Sequence, residues 1–366
     1  MHILILSANT GGGHNSAAAA ITEELQRRGI ASDTADCLAF LSEKTSEFIC
    51  WGADYVYKNV PRLFGKVYSY EERHPSQLIQ NSMALGVQKF YDTLCANDYD
   101  AIICVHVFAA QLVEEARRKY TIALPYYFLA TDYTCSPFVG EFHADAWFIP
   151  HEELIDEFVG AGVDAEKIVP SGIPVRRVFY DPMSRLDARR HLKLPTDGRI
   201  VLLCCGSSGC GKLDRVVPEY AGRLPEDATL VVVCGRNRRL YQHLRELNMP
   251  RTVIVGFTTQ IEKYMAAADL CVSKPGGLST TEMMVAALPM VLMLAVPGCE
   301  TYNLEFMQSR GVAVGASTWD EALQNVLLLI KDPGRLTDMK RRLEALRPDC
   351  AAETIVSYLQ DYTTRY

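Results

Sequence analysis

The chain alternates short apolar runs, each closed by a glycine-rich or polar turn, with stretches of helical pattern, and this alternation restricts the fold more than any other feature. HILILS (residues 2–7) ends in a glycine turn and is followed by SAAAAITEELQRRG, whose alanines and Leu25 suit a helix closed by Gly29. The unit recurs in YDAIICVHVF (99–108), LPYYFLATD (124–132) and DAWFIP (145–150), separated by helical stretches such as AAQLVEEARRKY. Strands that alternate with helices in this way build a parallel α/β sheet. A proline-rich segment, Val169 to Pro182, interrupts the series, which restarts with RIVLLCCG (199–206), ATLVVVCG (228–235), TVIVGF (252–257), ADLCVSK (268–274) and LPMVLMLAVPG (288–298). The sequence therefore predicts two Rossmann-like domains, over 1–175 and 176–345, and a C-terminal helical segment, 346–366, that packs back on the first. The charged stretch GRLTDMKRRLEAL is a candidate to cross that boundary. Open parallel sheets carry their functional loops at the strand carboxyl ends, so an active site is expected where the two domains face each other.

At 366 residues the chain exceeds the size at which one core keeps growing, which agrees with two domains. A net charge of -7 argues against general nucleic-acid binding and leaves only local contact with anionic surfaces. The 12 cysteines show no paired C-x-x-C spacing and fall mostly in apolar runs, the pattern of reduced thiols in a cytoplasm. Met1 to Leu6 has no charged leader, and the longest apolar run, Met283 to Pro297, is broken by Pro289. Neither a signal peptide nor a membrane span is expected.

Three glycine-rich motifs carry chemistry. GSSGCGKL (206–213) approaches a nucleoside triphosphate loop, but Leu213 stands where a hydroxyl would hold magnesium, so it is read as an anion cradle. SANTGGGHNSAA (7–18) is a poor dinucleotide fingerprint: Ser16 occupies the third glycine's place, and Asp36 is weak support for a ribose contact. Its glycine turn is structural or ligand-facing, and His14, at a helix start beside Gly13, is open to catalysis or ligand contact. In SKPGGLSTTE (273–282), Gly276 and Gly277 precede a helix whose positive end suits a diphosphate, with Ser279, Thr280 and Thr281 offering hydroxyls. Glu282 either closes a Ser279-x-x-Glu capping box or accepts hydrogen bonds from vicinal sugar hydroxyls.

The order GGGHNSAA, GSSGCGK, VVCGRN, VGFTTQIEKYMAAADLCVSKPGGLSTTE and PGCETYN resembles the monogalactosyldiacylglycerol synthase and processive diacylglycerol glucosyltransferase family, related to the N-acetylglucosaminyltransferase that forms lipid II. The resemblance implies a GT-B fold, a UDP-hexose donor held mainly by the second domain, a lipid acceptor, most simply diacylglycerol, met by the first, and inversion at the anomeric carbon. By the same resemblance the loop with Gly206 and Ser207 faces the donor diphosphate, together with Gly276 to Thr280 including Leu278. Gly235 and Asn237 of VVCGRN belong to the donor site, Gly256 and Phe257 lie by the uracil, Glu282 holds the ribose, and Glu300 and Asn303 bind the hexose. Cys299 stands where the family usually has Gln, which leaves the hexose, glucose or galactose, open.

Breaking a sugar–phosphate bond builds positive charge on the sugar and negative charge on the departing diphosphate, which a helix N-terminus stabilises. No Asp-x-Asp pair accompanies the donor motifs, so neither a metal nor a resident cofactor is expected. One-step inversion needs a base for the acceptor hydroxyl. His14 is the first candidate, and Asp132 in LATDYT, otherwise a plain helix cap, is the second. The family commonly follows this Asp with His and Trp, where this chain has Cys135, Ser136, Pro137 and Phe138. On the acceptor side, Trp51, Tyr55, Phe64 and Tyr68 recur with Phe48 near helical spacing, with Lys58, Arg62 and Lys66 every four residues, a stripe that is either core or a membrane-facing surface. The reading is an inverting glycosyltransferase, cytoplasmic and peripherally bound to the inner face of the membrane. A UDP-sugar epimerase, a triphosphate hydrolase and a non-catalytic UDP-sugar sensor are its rivals.

Overall fold

The computed structural model describes residues 1–9, 12–42, 44–47, 66, 70, 82–205, 213–293 and 297–363. The chain forms two compact units, Met1–Arg177 with Asp349–Tyr366, and Val178–Pro348.

The first unit contains β1 (His2–Ser7), α1 (Gly12–Arg27), β2 (Ala31–Asp36), α2 (Val87–Cys95), β3 (Ala101–Cys104), α3 (Val107–Lys119), β4 (Tyr126–Leu129), β5 (Ala146–Ile149), α4 (Ile155–Gly160) and β6 (Ile168–Pro170). Its six strands pair in the order β2-β1-β3-β4-β5-β6, all parallel. Ile3, Leu4, Ile5 and Leu6 are at most 1% exposed, so β1 is covered on both faces and reads as a continuous apolar run rather than an alternating one. Full burial of each such side chain is worth about 1.5–3 kcal/mol over leaving it in water. Ala17, Ala18, Ile21 and Leu25 form the buried face of α1.

The second unit contains α5 (Arg185–His191), β7 (Arg199–Cys204), α6 (Leu213–Arg223), β8 (Ala228–Val233), α7 (Arg238–Glu246), β9 (Thr252–Val255), α8 (Ile261–Ala267), β10 (Leu270–Ser273), α9 (Gly277–Val285), β11 (Met290–Met293), α10 (Cys299–Ser309), β12 (Ala313–Ala316), α11 (Trp319–Ile330) and α12 (Pro333–Leu346). Its parallel order is β12-β11-β10-β7-β8-β9. Val201, Leu203, Leu230, Val232, Leu270, Val272 and Val291 interlock in one core under α6 and α11. The charged stretch GRLTDMKRRLEAL, a candidate to cross between domains, forms α12 and instead stays in the second unit against α9 and α11. The helix that returns to the first unit is α13 (Ala351–Thr363), which packs on α1.

Both strand orders reverse direction once: β1 and β3 diverge in the first sheet, β7 and β10 in the second. Loops leaving the carboxyl ends of such a pair run to opposite faces and open a crevice between them, the preferred ligand position in open α/β sheets. His14 follows β1 and the turn Lys274–Gly277 follows β10, so sheet topology alone puts each at its unit's reversal point.

Candidate functional site

Gly12 and Gly13 are not a loop before the helix, as the glycine turn suggested; they are its first two residues, and they bring His14 into the first turn of α1. The His14 ring is half-buried, with Nδ1 3.0 Å from the Val105 carbonyl oxygen and 3.0 Å from Thr131 Oγ1. A carbonyl only accepts, so Nδ1 carries the proton and the neutral ring presents Nε2 as its basic nitrogen. Val105 follows β3, the neighbour of β1, and Thr131 follows β4, the next strand along, so the carboxyl ends of three successive strands in the sheet meet at one imidazole. His106 completes the group, its ring edge-on to that of His14 at 4.5 Å between centroids and 82° between planes.

YDAIICVHVF does not run as one strand to Phe108: β3 stops at Cys104, and His106 is the N-cap of α3, its Nδ1 accepting from the Phe108 N–H at 3.0 Å. Burial, and next the His14 ring, holds His106 well below the usual histidine range. It is therefore a neutral neighbour, and accepting at Nδ1 requires that neutrality.

Hydrogen bonds link Ser7 and Asn9 to Asn15 of α1 and to Asp36. Ser7 Oγ donates to Asn15 Oδ1 (2.6 Å), Asn15 Nδ2 to Asn9 Oδ1 (2.7 Å) and Asn9 Nδ2 to Asp36 Oδ2 (2.7 Å). Asp36 also accepts from the Leu38 N–H, so its carboxylate holds Asn9 and caps the turn at Cys37–Phe40. Asp132 lies beside Thr131, half-buried, and is no helix cap: the next element is a single 3-10 turn, Val139–Glu141, entered through Phe138. Glu157 of α4 steadies this segment by accepting from Thr134 Oγ1 and the Cys135 N–H, both at 2.7 Å.

In the second unit α9 is capped by Gly276, without a side-chain bond, and Ser279 is its third residue. The capping box between Ser279 and Glu282 is therefore not formed, and Glu282 stands half-buried one turn inside the helix. Gly277, Leu278 and Ser279 present first-turn N–H groups that have no carbonyl partner within a helix. The Thr280 and Thr281 hydroxyls, expected to face a ligand, are fully buried and donate to the carbonyls of Gly276 and Gly277. Lys274 Nζ meets Glu300 Oε1 at 3.0 Å, and Asn303 Nδ2 donates to the Pro275 carbonyl at 3.0 Å. Glu300 and Asn303, 5% and 0% exposed, thus hold the loop that enters α9.

Gly235 sits in a left-handed turn (φ 58°), and Asn237 caps α7 by accepting from the Leu240 N–H at 3.0 Å. Phe257 follows β9 and is 60% exposed, with the Arg236 guanidinium 5.5 Å from its ring centre, while Gly256 lies against the Tyr241 ring. Gly206 and Ser207 lie outside the described residues, as do Trp51, Tyr55, Lys58, Arg62, Phe64 and Tyr68; Lys66 is described and exposed. Among the described residues no cluster of three or more His, Cys, Asp or Glu is placed to hold a metal ion, and no helix is long and apolar enough to cross a membrane.

His106, Thr131 and Lys274 carried no sequence expectation. The signal for His106 was a polar residue just ahead of an apolar helical run; for Thr131 and Lys274 it was only adjacency to the motifs TDYT and PGGL.

Two units, each built on a parallel six-stranded sheet with one reversal of strand order, are the architecture of the GT-B fold. The fold matches MurG of Acinetobacter baumannii with a TM-score of 0.64 at 16% identity, over 98% of this chain and 99% of that one. It also matches the Anabaena protein HepE, solved in complex with UDP, with a TM-score of 0.59 at 17% identity over 100% of both chains. Residues 14–175 match the monogalactosyldiacylglycerol (MGDG) synthase family and residues 200–301 the glycosyltransferase family 28 C-terminal domain. The processive diacylglycerol beta-glucosyltransferase of Bacillus licheniformis is 26% identical over 97% of this chain and 94% of its own length. The chain thus joins a region that matches the MGDG synthase family to one that matches the glycosyltransferase family 28 C-terminal domain.

Proposed function

We propose that the protein moves a hexose from a UDP-sugar to the hydroxyl of diacylglycerol, with inversion, as a peripheral enzyme at the inner face of the membrane. The observation that carries this reading is the bond from His14 Nδ1 to the Val105 carbonyl, which sets Nε2 as the ring's basic position at the reversal point of the first sheet. His14 Nε2 takes the acceptor proton as the acceptor oxygen bonds to the anomeric carbon. The bond from that carbon to the diphosphate oxygen breaks, and its electron pair leaves with UDP. The first turn of α9 receives the departing charge through the N–H groups of Gly277, Leu278 and Ser279. Glu282 holds the ribose, Gly256 and Phe257 the uracil, and the Gly206–Ser207 loop the diphosphate. Glu300 and Asn303 contribute to the hexose pocket from α10, and Asp132 assists on the acceptor side. The diacylglycerol acceptor is supported by the named activity of the Bacillus relative, and the UDP donor by the UDP complex of the structural neighbour.

Incubation with a panel of UDP-hexoses and either diacylglycerol or total lipid extract, followed by lipid mass spectrometry, tests the reading. A hexose-shifted diacylglycerol is the expected product. Donor isomerisation without acceptor would establish the epimerase, magnesium-dependent triphosphate turnover the hydrolase, and binding without product the sensor.

A further inference from the structure

We infer that His106 is a positioning residue for His14, holding the His14 ring by an edge-on imidazole contact so that Nδ1 stays on the Val105 carbonyl and Nε2 stays on the acceptor side. The inference rests on the proposed role of His14 as base.

His106 is placed independently of His14. It ends the turn after β3, and its Nδ1 is engaged by the Phe108 N–H at the start of α3, which fixes the plane of its ring. The edge-on geometry, 4.5 Å and 82°, is a favoured arrangement for two rings because the positive edge of one meets the negative face of the other. The Nδ1 atom of the His14 ring is tied to Val105 and Thr131. A flip of that ring by a half-turn would exchange Nδ1 with Cδ2 and Nε2 with Cε1, which breaks the Val105 bond and moves the basic nitrogen off its position. The His106 ring stands against that flip. The neutrality of His106 matters as well: a second imidazolium at this distance would oppose the charge that His14 acquires when it takes a proton.

Two variants separate capping from ring contact. His106→Asn keeps a strong N-cap acceptor and removes the ring. His106→Phe keeps a ring beside His14 and removes the acceptor. In His106→Asn the thermal midpoint should hold while kcat falls about two- to tenfold, the worth of an aromatic pair, with donor KM unchanged. Nitrogen-15 imidazole spectra should show His14 in the single Nδ1–H tautomer in the wild type and as a mixture in His106→Asn. His106→Phe should be less stable yet recover most of kcat and the single tautomer. An unchanged His14 spectrum in His106→Asn overturns the inference, as does a loss of kcat in both variants that merely follows the fall in stability. The spectra report on positioning whether or not His14 is the base. A His14→Gln enzyme that keeps its turnover, with the tautomer still mixed in His106→Asn, would support the positioning and reject the base.

Discussion

Lys274 Nζ stands 3.0 Å from Glu300 Oε1, and at the next residue the Pro275 carbonyl accepts from Asn303 Nδ2, so two successive residues of the turn that enters α9 are tied to α10. The Glu300 side chain is 6% exposed and that of Lys274 22%, so removing the cation leaves a carboxylate in a poorly solvated place. Lys274→Met should lower stability by about 1–3 kcal/mol, the cost of an unsatisfied buried polar partner. It should also weaken UDP-hexose binding through the displaced turn, and Lys274→Arg should restore most of both. Calorimetry with UDP and with UDP-glucose checks this. Wild-type affinity for both ligands in Lys274→Met would show that the tie does not set the donor site.

Glu282 has no capping duty, since Gly276 caps α9. Glu282→Ala should weaken UDP by roughly ten- to a hundredfold, the worth of a charge-assisted hydrogen bond, in a protein that still folds. Titration calorimetry and a thermal melt on the same sample decide it. Lost stability with unchanged UDP affinity would remove Glu282 from the ribose.

The central strands were legible in the sequence because they are covered on both faces: HILILS reads as a strand from its apolar run alone. The edge strand β2, ASDTAD, is mostly polar and half-exposed, and only its pairing with β1 makes it a strand. The four residues of β12, AVGA, are equally silent, and its partner β11 supplies the register. At the site, glycine-rich turns marked where ligands can approach, because spacing along the chain encodes strand-to-helix turns. His106 was hidden inside an apolar decapeptide, since its partnership with His14 depends on β1 and β3 being neighbours. The inward turn of the Thr280 and Thr281 hydroxyls was hidden too, because a threonine near a helix start can face a ligand or its own backbone, and the composition STT is the same in both cases.

Glu24, 3% exposed near the end of α1, accepts from Arg27 and Arg28, and Arg28 also bonds Ser357 and Gln360 of α13. These arginines, Arg27 first, hold the Glu24 carboxyl below its ordinary value of 4.5. A lowered folded-state value means that the unfolded chain binds the proton more readily. The contribution is thus complete above the ordinary carboxylate range and is lost as pH falls through the folded value. Glu24→Gln should cost about 1.5–3 kcal/mol near pH 7 and much less under acid conditions. Denaturant unfolding at both pH values checks the convergence, and a constant gap between the two proteins would place the effect in packing instead.

The cationic stripe gives a membrane prediction. Reversal of Lys58, Arg62 and Lys66 to Glu should cut binding to anionic vesicles, at about 1 kcal/mol per cation near the surface, without altering UDP affinity. Sedimentation with phosphatidylglycerol vesicles at low and high salt is the measurement. Equal pelleting of variant and wild type would assign the stripe to protein packing.

His14 carries the sharpest prediction. With Nδ1 committed to the Val105 carbonyl, only the neutral ring offers a basic nitrogen, so turnover at saturating donor should rise with pH as the imidazole loses its proton. His106 should not add a second limb at that pH, because burial keeps it neutral well below the usual histidine range. His14→Ala should lose on the order of a hundredfold to ten-thousandfold in turnover and still bind UDP through the second unit. A diphosphate or acceptor-positioning contact would behave in the opposite way, since a protonated ring serves an anion better and activity would fall as pH rises. Turnover against pH for both proteins separates the accounts. An alanine variant that keeps most of the wild-type rate would move the base to Asp132, which lies beside the Thr131 hydroxyl that meets the same imidazole.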